Sequence, residues 1–341
     1  MPSTTVIEAG PKPELHLTLQ NGQSIRFHSD TAIDAHEIPV TYLQGMYSDN
    51  IEDRKVVAEQ IREAEHRIGF LYIVNHGIDG KYAENTFHQA KRFFGQEEQK
   101  KLEVCTDLVE YLGYFLMARY NRNGKRKNVL MEAYNWGFNP KTGHRCLWPK
   151  VLWPKDLPGF KDTLYKHHAR LLTLARKLTR IFEPALHLEE DHSDKDIRTP
   201  AAGMRPTYYP PQEASASEQL GIGAHTDFEC FTFVTQDTHA GLEVLSKSGY
   251  WIKAKPIPGS IVVNTADCFM RQTNDFFVST VHRVVNKGGA ERYSCPVFFG
   301  WDHDMELEPV PTCCGLENPI KYPVITSGEY LKWRGDQAKK V

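Results

Sequence analysis

Short apolar or alternating runs recur at turn-sized intervals after residue 200 of this chain. They span 203–209, 230–236, 241–245, 251–255, 260–264, 278–285 and 293–300. Successive residues of a strand face opposite sides of a sheet, so runs of this length and spacing are typical of a sandwich or barrel. The pattern predicts an all-β core over residues 200–300 with flanking helices packed on its outside.

Helical periodicity dominates the chain before this core. Helices are predicted over 51–68, 80–94, 97–104 and 158–187, and strands over 37–43 and 70–74. Residues 15–28 alternate on both sides of Asn21-Gly22, a dipeptide that accepts the positive φ angles of a tight hairpin turn. Loops and short strands are expected over 105–156, and a helix over 326–338.

The chain contains no Pro/Gly/Ser-rich linker, so a single domain over residues 1–341 is predicted. Its parts are an N-terminal extension with a hairpin (1–36), a mostly helical part (37–199), the β core (200–300) and a C-terminal segment (301–341).

The composition limits which classes of binding partner and which cellular compartment suit the protein. With 41 basic and 43 acidic residues the chain lacks the basic excess of a general nucleic-acid or anionic-membrane binder. Seven cysteines without a C-x-x-C spacing predict free thiols. A secretory signal and an apolar run of about 18 residues are both absent. We therefore expect a cytoplasmic protein that binds neither nucleic acid nor membrane, and its oligomeric state is left open.

The stretch GIGAHTDFECFTFV (221–234) places His225 and Asp227 two residues apart. Strand residues at i and i+2 face the same side, so both side chains can point at one metal ion. A polar pair of this kind is more often ordinary strand surface. His282, among the apolar residues of STVHRVV, offers a third ligand, although a hydrogen-bonded core histidine is the ordinary alternative.

Two histidines and one carboxylate on one side of a metal, with open positions opposite, favour a non-haem Fe(II) oxygenase. A zinc hydrolase is the alternative, because zinc also accepts this ligand set. Such an enzyme needs a general base beside its bound water. Glu229 is the nearby carboxylate, and strand alternation predicts that Glu229 faces the metal.

Arg292 and Ser294, in AERYSCPVFFG, share a face of a predicted strand shortly after His282. A buried guanidinium needs an anionic partner, because leaving it unpaired is costly. A small dicarboxylate would supply one through a bidentate contact. An internal salt bridge to Glu291 or Asp275 is the structural alternative.

Together these motifs resemble the isopenicillin N synthase-like family of Fe(II)/2-oxoglutarate-dependent oxygenases. The similar blocks, over roughly residues 37–334, are IPVTYL, GFLYIVNHGI, FFGQEEQKKL, WP, YYPP, GIGAHTDFE, GLEVL, VVNTADCF, STVHRVV, ERYSCPVFF and SGEYLKWR. The resemblance implies a double-stranded β-helix (jelly-roll) core within a single catalytic domain.

The resemblance also implies roles for individual residues, with O₂ as the further substrate. The catalytic iron ligands would be His225, Asp227 and His282, and the 2-oxoglutarate contacts would be Arg292, Ser294 and Tyr209. Tyr209 could instead be a strand-end aromatic residue of the core.

Five further residues are candidates for substrate contacts. Arg205 matches a position that is often basic in the family, and a contact to the co-substrate or the bracing of a loop are its alternatives. Alternation directs Phe231 and Phe298 towards the site. Tyr114 and Phe115 fall in the irregular region that often covers the site in relatives. Each aromatic residue could instead belong to the core.

The chain departs from the family pattern at two positions. Thr207 stands where many plant members have Asn, so one co-substrate contact is expected to be missing or replaced. Ala266 stands where the VN-x-G-D turn usually has Gly. Asn264 and Asp267 are accordingly predicted to form this turn and to take no part in chemistry.

The implied activity couples oxidative decarboxylation of 2-oxoglutarate to hydroxylation, desaturation, cyclisation or rearrangement of a small organic molecule. Family analogy indicates specialised-metabolite biosynthesis as the setting. Two alternatives share the fold: an Fe(II)/O₂ oxidase that does not use 2-oxoglutarate, and a non-catalytic binding protein.

Overall fold

The computed structural model describes residues 14–19, 23–29, 31–34, 37–105, 112–115, 130–137, 151–212 and 220–340. The helices are α1 (Ile51–Arg67), α2 (Lys81–Phe94), α3 (Glu98–Leu102), α4 (Phe160–Ala185), α5 (Asp267–Gln272) and α6 (Ser327–Lys340). The strands are β1 (Leu15–Thr18), β2 (Ser24–Phe27), β3 (Val40–Tyr42), β4 (Phe70–Val74), β5 (Gly113–Phe115), β6 (Glu132–Gly137), β7 (Ala202–Met204), β8 (Thr207–Tyr209), β9 (Ile222–His225), β10 (Phe231–Gln236), β11 (Leu242–Leu245), β12 (Trp251–Lys253), β13 (Ile261–Thr265), β14 (His282–Val284) and β15 (Arg292–Phe299).

Two sheets face each other across an apolar interior. The major sheet runs β3-β4-β13-β10-β15-β7-β6-β5, with β8 pairing with both β15 and β6, and the minor sheet runs β12-β11-β14-β9. Among the described strands, only β3 and β4 pair in parallel. Antiparallel sheets whose neighbouring strands are distant in sequence are the arrangement of a jelly roll. The predicted double-stranded β-helix core is therefore confirmed.

Strict alternation along the major sheet separates its inner face from its outer face. In β4, Phe70 and Tyr72 join the apolar cluster between the two sheets, whereas Leu71 and Ile73 join the cluster that contains α1, α2 and α4. The odd-numbered residues of β15 belong to that outer cluster, so its even-numbered residues, within 292–298, face the interior.

Helix α1 shows how local sequence sets an element's bounds. The side chain of Asn50 caps its first turn by accepting a hydrogen bond from the Glu52 amide. Gly69 ends it with φ of 67°, a left-handed conformation that favours glycine. The helices predicted over 51–68, 80–94, 97–104 and 158–187 are all present, within a few residues at each end.

The predicted division at residue 200 does not separate the helices from the sheet. Strands β3 to β6 come before it and still belong to the major sheet, where β4 pairs with β13 and β6 pairs with β7 and β8. The mostly helical part therefore contributes strands to the major sheet and also packs helices on the outside of that sheet.

The N-terminal hairpin packs on the minor sheet. Strands β1 and β2 pair in antiparallel register, as predicted, while the Asn21-Gly22 turn between them lies outside the described residues. Ile25 and Phe27 pack in one apolar cluster with Trp251 and Val281. The hairpin therefore covers the face of the minor sheet that points away from the interior.

Tyr114 and Phe115 lie on opposite faces of β5. Phe115 joins the cluster between the two sheets, whereas Tyr114 is buried in the helix-facing cluster. The Tyr114 hydroxyl donates to Oε2 of Glu132 at 2.6 Å, and Lys101 Nζ donates to the same oxygen at 2.7 Å. The prediction that Tyr114 contacts substrate is therefore wrong, because strand alternation turns it away from the interior.

Among the described residues, no helix is both long enough and apolar enough to cross a membrane.

We expect Gly69→Ala to destabilise the protein by about 2–4 kcal/mol, because alanine strains the positive φ. The new Cβ would also lie 2.0 Å from the backbone oxygen of Val278. Urea unfolding measures the loss. Gly80→Ala is the matched control, since a Cβ there meets nothing within 4 Å. Equal stabilities of the two variants would contradict the prediction.

We expect Tyr114→Phe to lower the free energy of unfolding by about 1.5–3 kcal/mol, because the partly buried Glu132 carboxylate loses a donor. The same variant should keep wild-type affinity for Fe(II), since Tyr114 faces the helices. Tyr42→Phe, at a residue that is 56% exposed, serves as the control. Weaker Fe(II) binding with unchanged stability would instead indicate that Tyr114 belongs to the active site.

Candidate active site

The pairing of β9 with β14 brings the three predicted metal ligands together. His225, the last residue of β9, lies opposite His282, the first residue of β14. Nε2 of His225 is 3.7 Å from Oδ1 of Asp227, and Nε2 of His282 is 3.6 Å from the same oxygen. Within the described part of the chain, these are the three His, Cys, Asp or Glu side chains whose ligand atoms cluster within 4.8 Å.

Backbone carbonyls orient both imidazoles. Nδ1 of His225 is 2.9 Å from the carbonyl oxygen of Gly223, and Nδ1 of His282 is 3.1 Å from that of Thr280. A carbonyl can only accept, so each Nδ1 carries the hydrogen. Each Nε2 is thereby left as a lone-pair donor that points towards Asp227.

Two side chains of the major sheet hold the Asp227 carboxylate. Its Oδ2 accepts hydrogen bonds from Thr232 Oγ1 at 2.6 Å and from Asn264 Nδ2 at 2.9 Å. Thr232 and Asn264 lie opposite each other in the β10–β13 register. Oδ1 remains directed at the two imidazoles. Supporting contacts of this kind fix the orientation of a ligating carboxylate.

The prediction that Asn264 and Asp267 are only turn formers is wrong. Asn264 lies inside β13 and binds Asp227, whereas Asp267 begins α5 and forms a buried ion pair with Arg334. Ala266 takes φ of −117°, which any residue adopts, so the expected glycine is not required there. Sequence reasoning missed Thr232 and Asn264 as a pair because cross-strand register is not visible in one strand.

The protonation states of this cluster suit a cation. Burial, reinforced by the nearby His282 imidazole, lowers the pKa of His225 to about 4. Burial opposes ionisation of Asp227, but the two imidazoles and its hydrogen bonds outweigh burial and hold the pKa of Asp227 below its usual value. A neutral imidazole beside an ionised carboxylate is the deprotonated state that metal binding requires.

Arg292 is buried on the inner face of β15 with an incomplete set of hydrogen bonds. Its Nε donates to the His239 carbonyl at 3.1 Å, and its Nη2 donates to Gln236 Oε1 at 3.0 Å. Its Nη1 is buried without a hydrogen-bond partner in the described structure. A buried guanidinium with a free donor fits an anionic ligand.

The predicted companions of Arg292 lie beside it. The guanidinium carbon is 4.9 Å from the centre of the Tyr209 ring, and the Ser294 hydroxyl donates to the Tyr209 hydroxyl at 3.5 Å. The alternative of an internal salt bridge is not observed. Glu291 instead lies 3.5 Å from Lys91, and Asp275 lies 3.0 Å from Lys321.

Two glycines make room for this cluster. A Cβ at Gly241 would lie 2.8 Å from Cδ of Arg292. A Cβ at Gly221 would lie 2.6 Å from the Tyr209 ring. Both distances are shorter than carbon contacts allow. Any residue larger than glycine at 241 or 221 would therefore clash with the arginine or the tyrosine.

Thr207, at the position where many plant members of the family have Asn, places a hydroxyl beside Ser294 and Tyr209. Thr207 is in register with Ser294 and shares the inner face of β8 with Tyr209. Its hydroxyl donates to the carbonyl oxygen of Arg205 at 3.0 Å. The Thr207 hydroxyl is therefore bound to the backbone and does not replace the expected asparagine.

Phe298, Phe115 and Arg205 are the substrate candidates placed at the interior. Phe298 is half-buried on the same face as Arg292 and lies opposite Thr232 in the β10–β15 register. The guanidinium of Arg205 lies 5.7 Å from the centre of the Phe115 ring. Arg205 also contributes positive potential at His225.

Phe231 and Glu229 do not follow the predicted alternation. Residues 226–230 lie outside the strands, so the face of β9 does not continue into β10. Phe231 packs on Phe182 of α4 with ring centres 5.3 Å apart, so its predicted substrate role is wrong. Glu229 is not among the clustered ligands, and its Cβ and Cγ would lie 3.3 Å from a Cβ at Gly300. Burial, reinforced by the nearby charge of Asp227, raises the pKa of Glu229 to about 7, which suits a general base.

Comparison with known proteins agrees with the geometry. Residues 200–300 match the 2OG-Fe(II) oxygenase superfamily, and residues 38–158 match the family described as non-haem dioxygenase in morphine synthesis N-terminal. The 2-oxoglutarate-Fe(II) type oxidoreductase ppzC of Metarhizium rileyi is 32% identical, covering 98% of this chain and 97% of that relative.

Further relatives extend the likeness to plants and to solved structures. Azadirone synthase LFS of Melia azedarach is 30% identical, covering 82% of this chain and 88% of the relative. A full-length Neurospora crassa protein, crystallised in complex with alpha-KG and thymine, is 27% identical with a TM-score of 0.79, and the match covers 90% of this chain and 99% of that one. From its two matching families and its full-length relative, we conclude that this chain belongs to the 2-oxoglutarate–Fe(II) oxygenase superfamily and is an Fe(II)- and 2-oxoglutarate-dependent dioxygenase.

Proposed function

We propose that His225, Asp227 and His282 hold the catalytic iron and that Arg292, Ser294 and Tyr209 hold 2-oxoglutarate. Their nitrogen and carboxylate donors suit Fe(II), with open positions for other ligands. Fe(II) and 2-oxoglutarate, when bound, would use O₂ to oxidise an unactivated C–H bond, and the co-substrate would leave as succinate and CO₂. The chain's own residues hold these groups and position the substrate.

The unpartnered Nη1 of Arg292 is the observation that carries the co-substrate assignment. It lies in the same interior as the three ligands, where a carboxylate would complete its hydrogen bonds. Gln236 and the His239 carbonyl brace the rest of the guanidinium, so its orientation is preset. The Ser294 hydroxyl donates to the Tyr209 hydroxyl, whose own proton supplies a further donor beside the anion.

Phe298, Phe115 and Arg205 are proposed to contact the substrate. The two phenylalanines offer apolar surface, and the guanidinium offers a donor to a polar group of the same molecule. This composition supports a small organic substrate. The likeness to the Neurospora crassa protein solved with thymine supports the same kind of substrate. The fungal and plant relatives support a role in specialised metabolism.

We further infer a cytoplasmic enzyme without a nucleic-acid or membrane partner. The near-neutral charge supports the absence of a polyanionic partner. The six cysteines that the structure describes are all free thiols, as expected in a reducing compartment. An oxidase that does not use 2-oxoglutarate, and a non-catalytic protein, both fit the named relatives less well.

Anaerobic reconstitution tests the proposed activity. Protein loaded with Fe(II) and 2-oxoglutarate is mixed with a panel of small organic metabolites, and O₂ is then admitted. We expect succinate to form one-for-one with a product whose mass reports hydroxylation, desaturation or rearrangement. Asp227→Ala should abolish both signals, because it removes the carboxylate ligand. Product that forms without 2-oxoglutarate would contradict the assignment.

Calorimetric titration of 2-oxoglutarate into Co(II)-loaded protein tests the carboxylate site. We expect Arg292→Met to weaken binding at least about 30-fold, because a buried charged contact is lost. Gly241→Ala should weaken it about tenfold by displacing the Arg292 side chain. Gly288→Ala is the control, since a Cβ there meets nothing within 4 Å. Wild-type affinity in Arg292→Met would refute the assignment.

A further inference from the structure

A second buried carboxylate, Asp267, lies behind the loop that carries the proposed ligands. Its Oδ1 accepts from the Ser279 hydroxyl at 2.7 Å. Its Oδ2 accepts from the Thr226 hydroxyl at 3.3 Å and from the Tyr330 hydroxyl at 3.2 Å. The same oxygen is 2.8 Å from Nε of Arg334. One carboxylate thus joins three separate segments of the chain.

Arg334 reaches this carboxylate from helix α6, near the end of the chain. Its side chain is 2% exposed. Beyond the ion pair with Asp267, its Nη2 donates to the Thr226 hydroxyl at 2.9 Å and to the Thr226 carbonyl at 3.3 Å. Its guanidinium carbon also lies 4.2 Å from the centre of the Phe228 ring. The Arg334 side chain therefore contacts the loop at the Thr226 carbonyl, the Thr226 hydroxyl and the Phe228 ring.

The contacts of this ion pair fall beside all three proposed ligands. Thr226 stands between His225 and Asp227, so a bond to its carbonyl constrains both neighbours. The Asp267 amide donates to the Asp227 carbonyl at 3.1 Å. Ser279 precedes Thr280, whose carbonyl orients the His282 imidazole.

We propose that Arg334 is a positioning residue for the metal centre, acting with Asp267 to hold the Thr226 backbone so that His225 and Asp227 converge on His282. The inference rests on the metal site proposed above. Residues 226–230 lie outside the strands, so the sheet ladders do not extend to the loop at Thr226. The Arg334–Asp267 pair restrains the Thr226 backbone from helix α6.

The geometry demands an arginine more than a positive charge. The guanidinium fork contacts Asp267 through Nε and Thr226 through Nη2 at the same time. A lysine ammonium is a single point charge and cannot span both partners in this arrangement. We therefore expect a lysine at position 334, which keeps the positive charge, to retain only part of the metal affinity.

Binding of Co(II) alone, followed by its visible absorption spectrum, tests the proposal in the full chain. We expect Arg334→Gln to bind Co(II) about tenfold more weakly, the loss typical of outer contacts to metal ligands, and to show a shifted spectrum. Arg334→Lys should fall between this variant and wild type. Lys332→Gln is the matched control, because it removes an exposed charge from the same helix.

Wild-type affinity and spectrum in a folded Arg334→Gln protein would overturn the proposal while leaving the metal site intact. Failure of the wild-type protein to bind Co(II) would overturn the metal site and this inference together. Circular dichroism of each metal-free variant verifies folding.

Thr226→Val provides an independent test should Arg334→Gln not fold. Valine keeps the shape of threonine but removes the hydroxyl that links Arg334 to Asp267. We expect weaker Co(II) binding in Thr226→Val and recovery in Thr226→Ser, which keeps the hydroxyl. Equal affinity of Thr226→Val and wild type would then overturn the proposal.

Discussion

The antiparallel pairing of β9 with β14 is the interaction on which the site depends. It sets His225 opposite His282, and in each case a carbonyl two residues earlier in the chain orients the imidazole. Both histidines thus belong to the minor sheet. The side chains that hold Asp227 come from β10 and β13 of the major sheet. The centre therefore lies at the seam between the sheets, and neither sheet could form it alone.

Two buried carboxylates have different surroundings at the loop that follows β9. Asp227 has one oxygen held by neutral donors and the other directed at the imidazoles, which suits a cation. Asp267 has both oxygens satisfied by hydroxyls and a guanidinium, which suits a permanent structural contact. Arg292 is the converse case, because part of its guanidinium is braced and part is left for an anion.

Predictions from strand alternation succeeded where a strand is continuous. Arg292, Ser294 and Phe298 share a face because β15 runs unbroken from 292 to 299. The same reasoning failed for Phe231, because the chain leaves strand geometry between β9 and β10. It also left Tyr114 and Phe115 undecided, since alternation places neighbours on opposite faces without saying which face is inside.

The sequence by itself indicated a β sandwich or barrel through local periodicity. Its short motifs, through their resemblance to a known family, indicated the jelly roll, the proposed ligand triad and the arginine–serine pair. Only the tertiary structure decided which residues support them. Thr232 and Asn264 meet across strands, and Arg334 contacts Thr226 although the two are 108 positions apart in the chain. Such pairings depend on register and on helix docking, which are set by packing of the whole interior and leave no signal in any single segment.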